Sequence, residues 1–140
     1  MRLLVIDDDP DLIEVLTVIA RDHPAVELVG AATSPEEAVA QSRDAAPDAI
    51  LLDHYFCTAE PLEHDGSSAQ DRRTMRGMSG LEAVEFLRAV APDAVIAVYT
   101  GMTGLAGSVE NSGADLYLMK GPNPRDALDE VADFVVARRR

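Results

Sequence analysis

Tryptophan is absent from this chain of 140 residues, aromatic residues make up 4% of it, and cysteine occurs once. The lone Cys57 cannot form an internal disulfide, which suits a reducing cytosol. With so few large rings, the core has to be built from Ala, Val, Leu and Ile, and the apolar share is 47%. Long apolar runs are missing too. Nothing approaches the roughly 20 residues of a membrane-spanning helix, and MRLLVIDDD lacks the apolar h-region of a signal peptide. A soluble, cytoplasmic protein with no membrane partner is expected. Basic residues are scarce, 12 against 25 acidic ones, for a formal net charge of −13. Such a balance repels nucleic-acid backbones, so no nucleic-acid partner is expected either. The length suits one domain with a single core.

What the chain does have is an alternation of short apolar strands and helical segments. RLLVI, VELVGAA, DAILL, AVIAVY and DLYLM read as five buried strands. Asp9-Pro10 opens a helix through about Asp22, with Leu12, Val15, Leu16 and Ile19 at helical spacing. Ser34-Pro35-Glu36-Glu37 is a capping box with proline at the first helical position. Leu81, Val84, Phe86 and Leu87 mark a helix after Ser79-Gly80. Another runs from about Thr103 to Ser112; it contains Gly104 and Gly107, each costing it up to ~1 kcal/mol relative to alanine, and should be the loosest element. Asn123-Pro124 caps the last helix, with Leu128, Val131, Val135 and Val136 on its apolar side. The alternation predicts a three-layer α/β domain around a parallel sheet.

Five polar residues sit where these runs end: Asp7 and Asp8 after LLVI, Asp53 after AILL, Thr100 after VIAVY and Lys120 after LYLM. In an open parallel sheet the ligand crevice lies beyond the strand carboxyl ends, so all five should converge on one edge. Three carboxylates meeting in a poorly solvated crevice either raise a pKa or bind a cation, and Mg²⁺ or Mn²⁺ suits a set of hard oxygen ligands. One carboxylate can then attack phosphorus, while the metal and Lys120 offset charge on the transferring group and Thr100 donates a hydrogen bond.

The arrangement resembles the receiver domain of two-component response regulators over nearly the whole chain. VIDDDP is similar to the family's acidic-pair motif, ILLD to the strand that ends in the phosphoacceptor, and GMSGLEAVEFLR to the stretch that follows. VYTG resembles the switch-hydroxyl motif and GADLYLMKGP the conserved-lysine motif. The resemblance implies a doubly wound, flavodoxin-like five-stranded parallel sheet of order 2-1-3-4-5, with Asp53 as phosphoacceptor. It also implies Asp8 as direct metal ligand, Asp7 as its acidic partner, and the backbone carbonyl of Tyr55 as a further ligand. Thr100 and Lys120 would hold the phosphoryl group, Gly101 would leave room for it, and Tyr117 would be the switch aromatic. The implied partners are a histidine kinase or phosphotransfer protein and a downstream protein target, with a homodimer as a further option.

Three departures from the family pattern stand out. Between Tyr55 and Met75 lie roughly twenty extra residues, centred on about 56–74, in a polar stretch without periodicity; loops that long are usually functional or disordered. Arg76 stands where the family usually has proline, and Gly121 where it usually has a cis-bonded proline. The insertion is read as a lid or docking loop whose Arg72, Arg73 and Arg76 could reach a phosphate, against a plain solvated loop. His54, Cys57 and His64 in it supply three candidate zinc ligands and no recognised pattern. Arg138-Arg139-Arg140 read as a solvated helix end complementing the macrodipole, and His23 as a helix terminus without signal.

The expectation is therefore a stand-alone receiver over residues 1–140, a signalling domain rather than an enzyme beyond its own phosphorylation and dephosphorylation. Two other classes compete. One is a phosphorylation-independent interaction module, for which Asp53, Thr100 and Lys120 would be superfluous. The other is a haloacid-dehalogenase-like phosphatase, in which Asp7 would be the nucleophile and Asp9 the general acid, leaving Asp53 unexplained.

Overall fold

The computed structural model describes residues 1–53 and 80–139. In chain order they form β1 (Arg2–Ile6), α1 (Pro10–Arg21), β2 (Glu27–Ala32), α2 (Pro35–Ala45), β3 (Ala49–Leu52), α3 (Gly80–Val90), β4 (Val95–Thr100), α4 (Ala106–Ser112), β5 (Leu116–Met119) and α5 (Pro124–Arg139). The five strands are all parallel, in the order β2-β1-β3-β4-β5, as expected. The insertion, the proposed zinc ligands and Arg140 lie outside the described residues.

Strands β1, β3 and β4 are apolar on both faces because helices cover both. Leu3, Val5, Leu51, Ala97 and Tyr99 face α1 and α5, where they meet Leu16, Leu128 and Val131. The alternate residues Leu4, Ile6, Ile50, Leu52 and Ile96 pack against Ala38, Ala83, Val84 and Leu87 on the other side. The helix starts are where the sequence places them. Asp9 accepts from the Asp11 N–H, and Ser34 from the Glu37 N–H, each at the N-cap of its helix. Helix α4 is shorter than expected, beginning at Ala106 rather than near Thr103. Gly104 has a φ of +79°, a left-handed backbone that no continuing helix passes through.

Three residues assigned to apolar faces are exposed instead: Val15, Phe86 and Val136. Each lies roughly a third of a turn from the centre of its helix's buried face, where spacing alone does not separate flank from core. Conversely, His23 is buried and joins two helices. Its Nε2 lies 2.6 Å from Asp129 Oδ1 and its Nδ1 accepts the Ala25 N–H, so the ring proton sits on Nε2 and is donated to the carboxylate. The end of α5 is not merely solvated. Arg138 pairs with Asp115, which also takes Arg88, and Arg139 pairs with Asp48, which also accepts the Arg2 backbone N–H.

The edge strand β2 is closed over by α2. Gln41 donates to the Ala31 carbonyl at 2.8 Å, and a Cβ on Gly30 would lie 2.4 Å from Gln41 Oε1, so glycine is what lets that side chain lie against the strand. Next on the same helix, Ser42 is fully buried, and its hydroxyl has no hydrogen-bond partner among the described residues. A buried hydroxyl without a partner is a net cost, and alanine is the better helix former. Ser42→Ala is therefore expected to raise stability by about 1 kcal/mol, read as a higher urea midpoint at unchanged m value.

Candidate functional site

The carboxyl ends of the strands carry their hydrogen-bond ladder one residue further. Asp7 N–H donates to the Ala32 carbonyl, Asp53 N–H to Ile6 and Lys120 N–H to Thr100, at 3.0, 2.8 and 2.8 Å. The backbone of each polar residue is thus fixed by the neighbouring strand, and Asp7, Asp8, Asp53, Thr100 and Lys120 come to one edge. Asp7, Asp53 and Thr100 are buried, while Asp8 is half-buried.

Within this edge, one carboxylate oxygen from each of Asp7, Asp8 and Asp53 lies within 4.8 Å of the others. Three hard, anionic oxygens at that spacing could hold a metal ion, and the donor set fits a cation of the Mg²⁺ or Ca²⁺ type. Lys120 reaches in from β5: its Nζ donates to Asp7 Oδ2 at 2.9 Å and stands 3.6 Å from Asp53 Oδ1. Burial pulls the ammonium pKa down. The Asp7 hydrogen bond and the charges of Asp53 and Asp7 outweigh that and leave it above the ordinary lysine value. The other Asp7 oxygen accepts the Asp9 N–H at 3.0 Å, so each oxygen of Asp7 has a donor.

Thr100 and Tyr117 hold the same residue of the loop that follows β4. Thr100 Oγ1 accepts the Met102 N–H at 3.1 Å, and the Tyr117 hydroxyl donates to the Met102 carbonyl at 2.6 Å. The position of this loop is therefore read by both a site residue and a β5 aromatic. Beside it, a Cβ on Gly101 would meet no atom of the described residues within 4 Å. Gly121-Pro122 is joined by a trans bond, as are all peptide bonds among the described residues. Tyr55 and the insertion arginines Arg72, Arg73 and Arg76 lie outside the described residues.

Sequence reasoning missed Tyr99. It was legible only as part of the apolar run VIAVY, yet its ring lies beneath Lys120, with Nζ 5.8 Å from the ring centroid. Burial raises its phenol pKa; the Lys120 charge opposes this, and Asp7 and Asp126 add to it, so the hydroxyl stays protonated at neutral pH. Among the described residues no helix is long and apolar enough to cross a membrane.

No protein-family model matches the chain. Among curated proteins, the DNA-binding response regulator MtrA of Mycolicibacterium smegmatis is 30% identical over 133 residues, covering 93% of this chain and 48% of that protein. The chain thus spans about half the length of this relative. Among solved structures, a CheY-like response regulator receiver domain protein from Methanospirillum hungatei superposes with a TM-score of 0.70. It is 25% identical and covers 99% of this chain and 95% of that one. A response regulator from Burkholderia pseudomallei, which holds a phosphorylated aspartic acid, a calcium ion and citrate, gives a TM-score of 0.68 at 26% identity. Coverage there is 99% of this chain and 72% of that one.

Proposed function

Since the chain belongs to the response regulator receiver family, we propose that Asp53 accepts a phosphoryl group and that the modified site changes what the domain binds. The observation that carries this reading is the meeting of Asp7, Asp8 and Asp53 with Lys120 at one sheet edge, the edge at which β4 ends in Thr100. The donor is a phosphohistidine on a histidine kinase or phosphotransfer protein. An Asp53 oxygen forms a bond to phosphorus as the phosphorus–nitrogen bond breaks, and the imidazole leaves with its electron pair. Both Asp7 oxygens accept hydrogen bonds, from the Asp9 N–H and from Lys120, and Lys120 also faces Asp53.

Asp7, Asp8 and Asp53 would hold a divalent cation, Mg²⁺ or Mn²⁺, which would supply positive charge to the transferring phosphoryl oxygens. Lys120 adds a fixed positive charge whose raised pKa keeps it ionised well above neutral pH. Thr100 exchanges its acceptor role toward Met102 for an O–H donated to a phosphoryl oxygen. Releasing the Met102 N–H frees the loop that Tyr117 also grips, which gives the switch a path from the phosphoryl group to the β5 surface. A downstream protein that binds one of the two loop positions better then reads the phosphorylation state.

The test is intact mass after incubation with acetyl phosphate. One phosphoryl adduct is expected with Mg²⁺ or Mn²⁺ and none after chelation, with reductive trapping placing the label on Asp53. A label on Asp7 would move the nucleophile. A metal-independent adduct would remove the cation from the reaction.

A further inference from the structure

Lys120 is the only lysine in the chain. Its side chain is 28% exposed, and a long flexible stem has to deliver a point charge to a fixed place. Two carboxylates receive that charge, Asp7 at 2.9 Å and Asp53 at 3.6 Å. The third contact is of another kind. Nζ stands over the Tyr99 ring, 5.8 Å from its centroid, within the range at which a cation is attracted to a ring face. The sheet dictates this placement. Tyr99 pairs with Leu118 across β4 and β5, and both belong to the core on the α1 and α5 side. Lys120 follows Leu118 by two residues, which puts it on that same face, diagonally across from Tyr99. The ring is 2% exposed and is set in one cluster with Leu128 and Val131 of α5, so the mobile member of the pair is the lysine.

We infer that Tyr99 is a positioning residue for phosphoryl transfer, its ring face holding the Lys120 ammonium over the strand ends where it meets Asp53. This role rests on the phosphoryl reading above and adds to it the residue that aims the lysine. An aliphatic side chain at position 99 would fill the core and leave the ammonium with the carboxylates alone to direct it. Their pull is uneven, because Asp7 makes the shorter contact. Attraction to a ring face has no single donor–acceptor axis. Nζ can therefore exchange Asp7 for a phosphoryl oxygen on Asp53 without leaving the ring. The hydroxyl takes no part, so phenylalanine should serve as well as tyrosine.

The test uses the full chain made with ¹³C-labelled lysine, which gives the side-chain signals of Lys120 alone. In the unmodified protein its ε-methylene protons are expected upfield of their position in the urea-unfolded chain, displaced by the ring current of Tyr99. Initial rates of adduct formation from acetyl phosphate in Mg²⁺ are then followed by intact mass. Tyr99→Phe should keep the displaced signal and a rate within about twofold of wild type. Tyr99→Leu should return the signal toward the unfolded position and slow the adduct about fivefold or more. Should Tyr99→Leu fail to fold, the displaced signal in the wild type and in Tyr99→Phe still decides. Wild-type lysine signals at the unfolded position would overturn the inference. So would a slower Tyr99→Leu whose lysine signal has not moved, which assigns the loss to core packing. A moved signal at an unchanged rate, or a Tyr99→Phe that behaves like Tyr99→Leu, would overturn it equally. No adduct in the wild type would overturn the phosphoryl reading and this role with it, a result that no comparison among the variants can produce.

Discussion

Asp53→Asn is expected to reduce the phosphoryl adduct below detection while leaving the fold intact. An amide keeps the shape of the side chain but cannot form the acyl phosphate, so the loss is one of nucleophile and not of structure. Asp7 is not expected to substitute. Asp7 is fixed by the Asp9 N–H on one oxygen and Lys120 on the other, and turning it toward a donor would break both bonds. The substitution also removes one negative charge from a crowded edge, so the melting temperature should hold or rise. Intact mass and a thermal melt on the same sample measure both. A full-strength adduct in the variant would transfer the nucleophile to Asp7 or Asp8.

Lys120→Met is expected to give the larger loss of stability, about 1–3 kcal/mol in the absence of divalent cations. Removing one member of a buried charge network leaves its partners uncompensated, which typically costs 3–5 kcal/mol at full burial. The Lys120 side chain is 28% exposed, and the lower figure reflects water reaching it. Because Mg²⁺ would bring charge to the same carboxylates, it should recover part of the loss and stabilise the variant more than the wild type. The contribution also has a definite pH range. The folded-state pKa of Lys120 lies above its ordinary value of 10.5, so the stabilisation is complete at neutral pH. It disappears as the pH climbs past the ordinary lysine range and through the raised pKa. Chemical denaturation at neutral pH, with and without Mg²⁺, measures the loss. Equal stability of the two proteins without metal would show that the pairing contributes nothing.

The strand-end residues were legible in the sequence for a physical reason. A parallel strand covered on both faces must be apolar throughout, so the first polar residue after LLVI or AILL marks where the chain leaves the core. The caps were legible because Asp9 and Ser34 precede proline. Tyr99 was hidden for the same reason that Thr100 was visible, since a tyrosine inside an apolar run looks like one more buried side chain. Its approach to Lys120 depends on β4 lying beside β5. His23 and Asp129 are 106 residues apart and share no local pattern. The start of α4 was misplaced because helical spacing says nothing about the sign of a glycine φ. Stretch 54–79 offered no periodicity from which a conformation could be argued.

At the opposite edge of the sheet, one carboxylate holds both extremities of the described chain, since Asp48 takes the Arg2 N–H on one oxygen and Arg139 on the other. A path that starts and finishes at the same side chain is close to a closed ring. A short peptide joining the two would let the ring be cut elsewhere, and circular permutants opened between α1 and β2 should keep the strand-end site. The domain can also be threaded into a surface loop of a host protein through that one point, leaving the reactive edge facing outward.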